Sequence, residues 1–185
     1  MSIVIKLRNV RMMYPRLVSV DKTGKYSVGV LVEKNSEMYR LLMAKLREAW
    51  SEGADRYGKA QFEPNPTDSR ILRASYVRIG GTEDAKGRLM PAWMDGYICF
   101  GATSHDPRPV VDGNLEPVNA GDTNICYSGQ LCNVSLDLAA YPKAESYDSG
   151  IGRYLRSVVI LGNGERIVTQ AGGFTDIVDE WSDME

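Results

Sequence analysis

One histidine in 185 residues leaves no material for a histidine-built zinc site or a His-centred catalytic triad. Three cysteines, at 99, 126 and 132, form an odd set without metal-type spacing. The pattern suits a reducing cytoplasm better than a disulfide framework. No stretch reaches the ~18 apolar residues of a membrane span, and residues 1–6 lack the charged region and apolar core of a signal peptide. The Gly162-Asn163-Gly164 sequence has no following helix pattern and no Lys-Ser/Thr pair, so it is not a phosphate loop. No internal repeat is visible. With 43% apolar residues the chain can build its own core as one domain, without metals or disulfides.

Charge is scarce in net terms, at −2, but it is unevenly placed. Residues 176–185 hold five acids and no base, which leaves 22 bases against 19 acids in the remainder. A mildly basic body with an acidic tail suits a nucleic-acid binder whose tail competes with the ligand or recruits partners. A solubilising C-terminus is the plainer reading of the same charges. The expected division is a domain over 1–173 and an acidic, disordered tail over 174–185.

The chain is organised around residues 96–141. An apolar run from Gly96 ends at Thr103-Ser104, a Pro-rich connector follows, and Ile125-Cys126-Tyr127-Ser128-Gly129 leads into an alternating stretch. There Cys132, Val134, Leu136 and Leu138 alternate with Asn133, Ser135 and Asp137, a period of two that predicts a strand with one buried face. Earlier, Ile3, Ile5 and Leu7 alternate with polar residues, predicting a strand over 3–12 with a basic outer face, interrupted at Tyr14-Pro15-Arg16. Asp21-Lys22-Thr23-Gly24 predicts a turn, and 25–33 its return strand. Asn35 is the expected N-cap of a helix carrying Met38, Leu41, Leu42, Leu46, Ala49 and Trp50 on one face, ended by Gly53 or Gly58. Residues 64–69 read as a loop, 71–79 as a strand and 80–88 as an exposed, partly basic loop of the kind that closes over ligands. A strand over 153–161, the Asn-Gly turn and a return over 165–170 complete the count. The fold expected is mainly β: an OB-fold-like five-stranded barrel with one packed α-helix, extra hairpins and an acidic C-terminal tail. A plain β-sandwich is the competing architecture.

Asp95, Asp106, Asp112, Glu116 and Asp122 lie close enough in sequence to suggest a metal-dependent nuclease, yet Asp106, Asp112 and Asp122 stand beside proline or glycine in turn positions. His105 beside Asp106 has no nucleophile motif to serve. Binding chemistry is better represented. Ten Tyr, three Trp and three Phe are present, and Tyr14/Arg16, Tyr76/Arg78, Arg153/Tyr154 and Tyr154/Arg156 set rings beside guanidinium groups. Rings that stack on bases and cations that follow phosphates are what single-stranded nucleic acid requires. Three platforms at ~1–3 kcal/mol each, with a few ionic contacts, reach the ~8 kcal/mol of micromolar affinity.

Residues 96–155 resemble a family of bacteriophage single-stranded-DNA-binding proteins with an OB fold. The resemblance rests on Gly96-Tyr97 leading to Ala102-Thr103-Ser104, on Arg108-Pro109-Val110-Val111-Asp112, on Ile125 to Gly129 with a strand ending at Tyr141, and on Gly150-Ile151-Gly152 with Leu155. It implies sequence-tolerant binding of single-stranded DNA in phage replication or recombination, in the host cytoplasm, with no cofactor and no catalysis. By place in the motif, Arg108 is the expected exposed cation, with Tyr127 beside it across the barrel. Tyr76, Arg78, Trp93, Arg153, Tyr154 and Arg156 complete the expected DNA-binding set. Asp176, Asp179, Glu180, Trp181, Asp183 and Glu185 form an autoregulatory or partner-docking tail, in which Trp181 replaces a terminal aromatic. Replication or recombination proteins are the expected tail partners, no membrane is expected, and a homodimer or cooperative assembly on DNA is the expected association. Two rival readings remain at this point: a nuclease using the carboxylates of 95–122, and a β-barrel interaction protein without nucleic-acid affinity.

Overall fold

The computed structural model describes residues 2–84 and 86–168. The tail residues from Asp176 to Glu185, and the boundary at 173, lie outside the described residues. Among the described residues, seven strands form one sheet: β1 (Ile3–Arg16), β2 (Tyr26–Glu33), β3 (Arg78–Ile79), β4 (Tyr97–Ser104), β5 (Val110–Asp112), β6 (Leu131–Tyr141) and β7 (Gly150–Ile160). Their order is β3-β4-β2-β1-β6-β7-β5, and a parallel bridge from Thr103 to Tyr154 joins β4 to β7. That bridge closes β1, β2, β4, β7 and β6 into a five-stranded ring, the connectivity of an OB barrel. Inward positions of every ring strand are apolar, with Ile5, Leu7, Val30, Phe100, Leu136 and Leu155 among the buried residues. The period-two pattern of β6 is realised residue for residue.

Among the described residues, two α-helices pack on the barrel. α1 (Glu37–Tyr57) lies against β1 and β6 and buries Leu42, Met43, Leu46, Ala49 and Trp50. Its N-cap is Ser36, not Asn35: the Ser36 hydroxyl accepts the Tyr39 amide at 3.2 Å, while Asn35 holds φ 60° one residue earlier. Gly58, at φ 100°, ends it. Gly53 is a contact residue instead, because a Cβ there would stand 2.8 Å from the Ala140 Cβ and 3.0 Å from the Phe62 ring.

The sequence expectation fails in three further places. Residues 71–79 are not a strand: α2 (Asp68–Ala74), capped by the Thr67 hydroxyl, takes Ile71 and Leu72 into the core, and only β3 remains extended. A seven-residue helix is too short for periodicity to separate from a buried strand. The first strand is not broken at Pro15, since β1 runs on to Arg16 through irregularities after Leu7 and after Met13. Tyr14, at φ 45°, gives its N–H to the Ser128 hydroxyl at 2.9 Å, so the local ladder is already interrupted where the proline sits. Finally, the described part of 165–170 is not a hairpin return. The chain after β7 instead crosses the 127–131 turn, where Gly164 donates to the Gln130 side chain at 2.9 Å and Ile167 to the Ser128 carbonyl at 2.9 Å.

Candidate nucleic-acid interface

The outer face of β4 carries an open window at Gly101. Gly101 pairs with Gly29 of β2, and a Cβ at Gly101 would meet nothing within 4 Å. Two residues back, Cys99 pairs with Arg78 of β3, which puts the exposed Arg78 on the same face. Two residues on, Thr103 pairs with Tyr154 of β7. Beyond Cys99 the face is roofed by Met90, Trp93 and Met94, packed on Met13 and Leu31. Trp93 sits in a short 3-10 turn (Ala92–Met94), half-buried, with its ring edge-on to Tyr14 at 6.1 Å.

Arg153 ties this face together. Its Nε donates to the Gly101 carbonyl at 3.0 Å and one terminal nitrogen donates to Ser75 at the end of α2 at 2.5 Å. Its guanidinium lies 5.4 Å from the centroid of Tyr76. Burial lowers the Arg153 pKa below the ordinary arginine value, while the neighbouring Tyr141, Tyr154 and Tyr76 act in the opposite sense. Burial, with a hydrogen bond that the Tyr141 hydroxyl donates to Tyr76, pushes Tyr141 up to about 12. Tyr76 has φ 55° between α2 and β3, and its side chain is exposed. Tyr14, Tyr76 and Tyr154 are 53%, 60% and 45% exposed, which leaves ring surface free for stacking.

Of the expected residues, Tyr76 and Arg153 are in contact, Arg78 and Tyr154 pair with β4 at Cys99 and Thr103, and Trp93 packs beside Cys99. Their pairing differs from the sequence expectation. Tyr76 is not in a strand with Arg78, and its guanidinium neighbour is Arg153, about 77 positions away in the chain. Tyr14, read from sequence only as a partner of Arg16, joins the group through Trp93.

Arg108 and Arg156 lie elsewhere, on the outer face of β1, β6 and β7. The Arg108 Nε donates to the Arg156 carbonyl at 2.8 Å, and Arg156 pairs with Asp137 at 3.1 Å. Tyr127 does not join them. Its hydroxyl donates to the Gly164 carbonyl at 2.6 Å and Arg166 lies 4.2 Å over its ring, so it pins the segment that follows β7. Lys6 and Arg8, legible in the sequence only as a basic strand face, border the Arg108 groove.

Of the carboxylates of 95–122, Asp112 and Asp122 do turn chemistry. Asp112 accepts the amides of Asn114 and Glu116, and Asp122 that of Asn124, at 2.8–3.1 Å. Among the described residues no group of three metal-ligating side chains converges, and no helix is long and apolar enough to cross a membrane.

The family model described as Enterobacter phage Enc34, ssDNA-binding protein, matches residues 2–184. No curated protein matches the sequence. Among solved structures, the single-stranded DNA-binding protein of bacteriophage Enc34 superposes with a TM-score of 0.68 at 17% identity, over 95% of this chain and 90% of that one. The same protein in complex with ssDNA gives 0.63 at 18% identity, over 89% of each chain. The single-stranded DNA-binding protein gp2.5 of bacteriophage T7 gives 0.55 at 16% identity, over 99% of this chain and 94% of that one.

Proposed function

The chain belongs to the family of phage ssDNA-binding proteins represented by that of Enterobacter phage Enc34, and from that premise we propose that its DNA strand crosses the outer face of β4 at the Gly101 window. The single observation carrying this site is that Gly101 has open space above it while β4 is bordered by two ring clusters, Tyr14 with Trp93 near Cys99 and Tyr76 with Arg153 at the Gly101 carbonyl, and by Arg78 and Tyr154 on the strands paired with it. Bases stack on the rings while the guanidinium groups take phosphates, without reading sequence and without catalysis. The setting is phage DNA replication or recombination in the host cytoplasm. Residues 174–185 compete with DNA for the basic body when DNA is absent, a role supported by their five acids against a basic remainder. Tail contacts with replication or recombination proteins, and a homodimer or cooperative array on DNA, complete the proposal.

Gly101→Val tests the site directly. The Cβ has open space and valine suits a strand, so the melting temperature holds. The added side chain fills the window, and affinity for an unstructured oligonucleotide is expected to fall at least ~10-fold, the loss of about one stacked base. Unchanged affinity in the folded variant would remove β4 as the DNA face. For the tail, deletion of 174–185 is expected to tighten binding at low salt, and equal affinity with and without it ends the competition idea.

A further inference from the structure

The groove on the opposite flank of β7 has a different chemistry from the Gly101 window. It holds about 670 Å³ and is bordered by Lys6, Arg8, Arg108 and Arg156, with Asn133 and Ser135 on its floor. No aromatic and no acidic residue lines it. Lys6, Arg8 and Arg108 make no ion pair among the described residues, and only Arg156 is matched, by Asp137. Arg108 is aimed by the bond from its Nε to the Arg156 carbonyl, which leaves its terminal nitrogens for a ligand. Three unpaired cations beside the matched Arg156, with no ring among the lining residues, suit a chain of phosphates and offer bases nothing to stack on.

β7 joins the two regions. Tyr154 borders the window and Arg156 borders the groove two residues later, about 7 Å along the strand. The sheet is irregular between them, since Leu155 pairs with Leu136 and Ser157 with Ser135. The extra residue, Arg156, is thereby exposed on the outer surface. Resting on the window as the stacking site, we propose that this groove is a second track for the same strand, gripping its backbone after the bases leave the rings. Binding then has two zones, one that stacks and is tolerant of salt, and one that is ionic alone.

The test is a titration of the full chain with oligonucleotides of about six and about twenty nucleotides, across a salt series, comparing wild type with Lys6→Gln/Arg8→Gln/Arg108→Gln. For the long oligonucleotide, losing three phosphate contacts is expected to flatten the log–log salt slope by about 2 and to weaken binding about 100-fold at 0.1 M salt. The short one, filling the window alone, keeps its affinity and slope. Lys6→Glu alone, at an exposed residue, serves as a second variant should the triple one fold poorly, with the same length dependence expected. An equal loss on both lengths, or an unchanged slope on the long one, overturns the second track. Loss confined to duplex DNA assigns the groove to a separate molecule and also overturns it. Tighter binding by the variant, the result expected if the acidic tail occupied the groove, does the same. Failure of wild type to bind either oligonucleotide would count against the family-based reading instead, so the two are separable.

Discussion

Arg153 shows how one side chain can hold the fold and border the proposed site together. Its nitrogens reach carbonyls on β4, β7 and the end of α2, and its flat face meets Tyr76. A lysine keeps the charge but cannot reproduce that planar fork. Arg153→Gln is expected to lower stability by about 1–3 kcal/mol, because buried carbonyls lose a charged donor, and to weaken DNA binding as Tyr76 is released. Arg78→Gln, at an exposed position without such carbonyl contacts, is expected to weaken DNA binding and leave the melting temperature in place. Thermal denaturation with oligonucleotide titration separates the two. If Arg153→Gln melted like wild type, its clamp role would be wrong.

At the scale of elements, the docking of α1 depends on Gly53. Replacing an interior helical glycine with alanine ordinarily stabilises a helix by ~1 kcal/mol. Here the new methyl would press on Ala140 of β6 and on Phe62, itself held edge-on to Trp50 at 5.1 Å. Overpacking of this kind costs about 1–3 kcal/mol, so Gly53→Ala is expected to lower the urea midpoint against its helix propensity. A raised midpoint would mean that β6 and the helix part easily. α2 depends on its surroundings in the same way. Thr67 caps it, an ion pair between Arg47 and Asp68 ties it to α1, and its carbonyl end meets Arg153.

For the whole molecule, the three thiols are the clearest link between burial and pH. Burial pushes Cys99 and Cys126 up to about 11 and Cys132 up to about 12, from the ordinary 9.0. The unfolded chain thus releases these protons first as pH rises. Stability is retained below pH 9 and is expected to fall between about pH 9 and 11, as the unfolded thiolates form while the folded thiols resist. Tyr141 adds to the fall in the same direction. Urea denaturation at pH 8 and pH 10 checks this, and a midpoint that rose with pH would contradict it. At pH 8 the native protein is expected to react with a thiol reagent far more slowly than the unfolded chain.

Local pattern alone determined much of this protein. The alternation of β6, the apolar stripe of α1, the Asp21–Gly24 turn and the acidic excess of 176–185 are periods and compositions that need no distant partner to be read. That Tyr76, Arg78, Trp93, Arg153 and Tyr154 offer rings and guanidinium groups was also legible in the sequence. Tertiary structure decided which of them meet. Closure of β4 on β7 brings Arg153 to Gly101, and the short helix α2 turns Tyr76 toward it, a contact between residues too far apart for any spacing rule. The same closure put Arg108 and Arg156 on another flank and left Tyr127 holding the chain after β7. Local sequence sets the direction of a side chain within its own element, but long-range strand pairing sets which elements become neighbours.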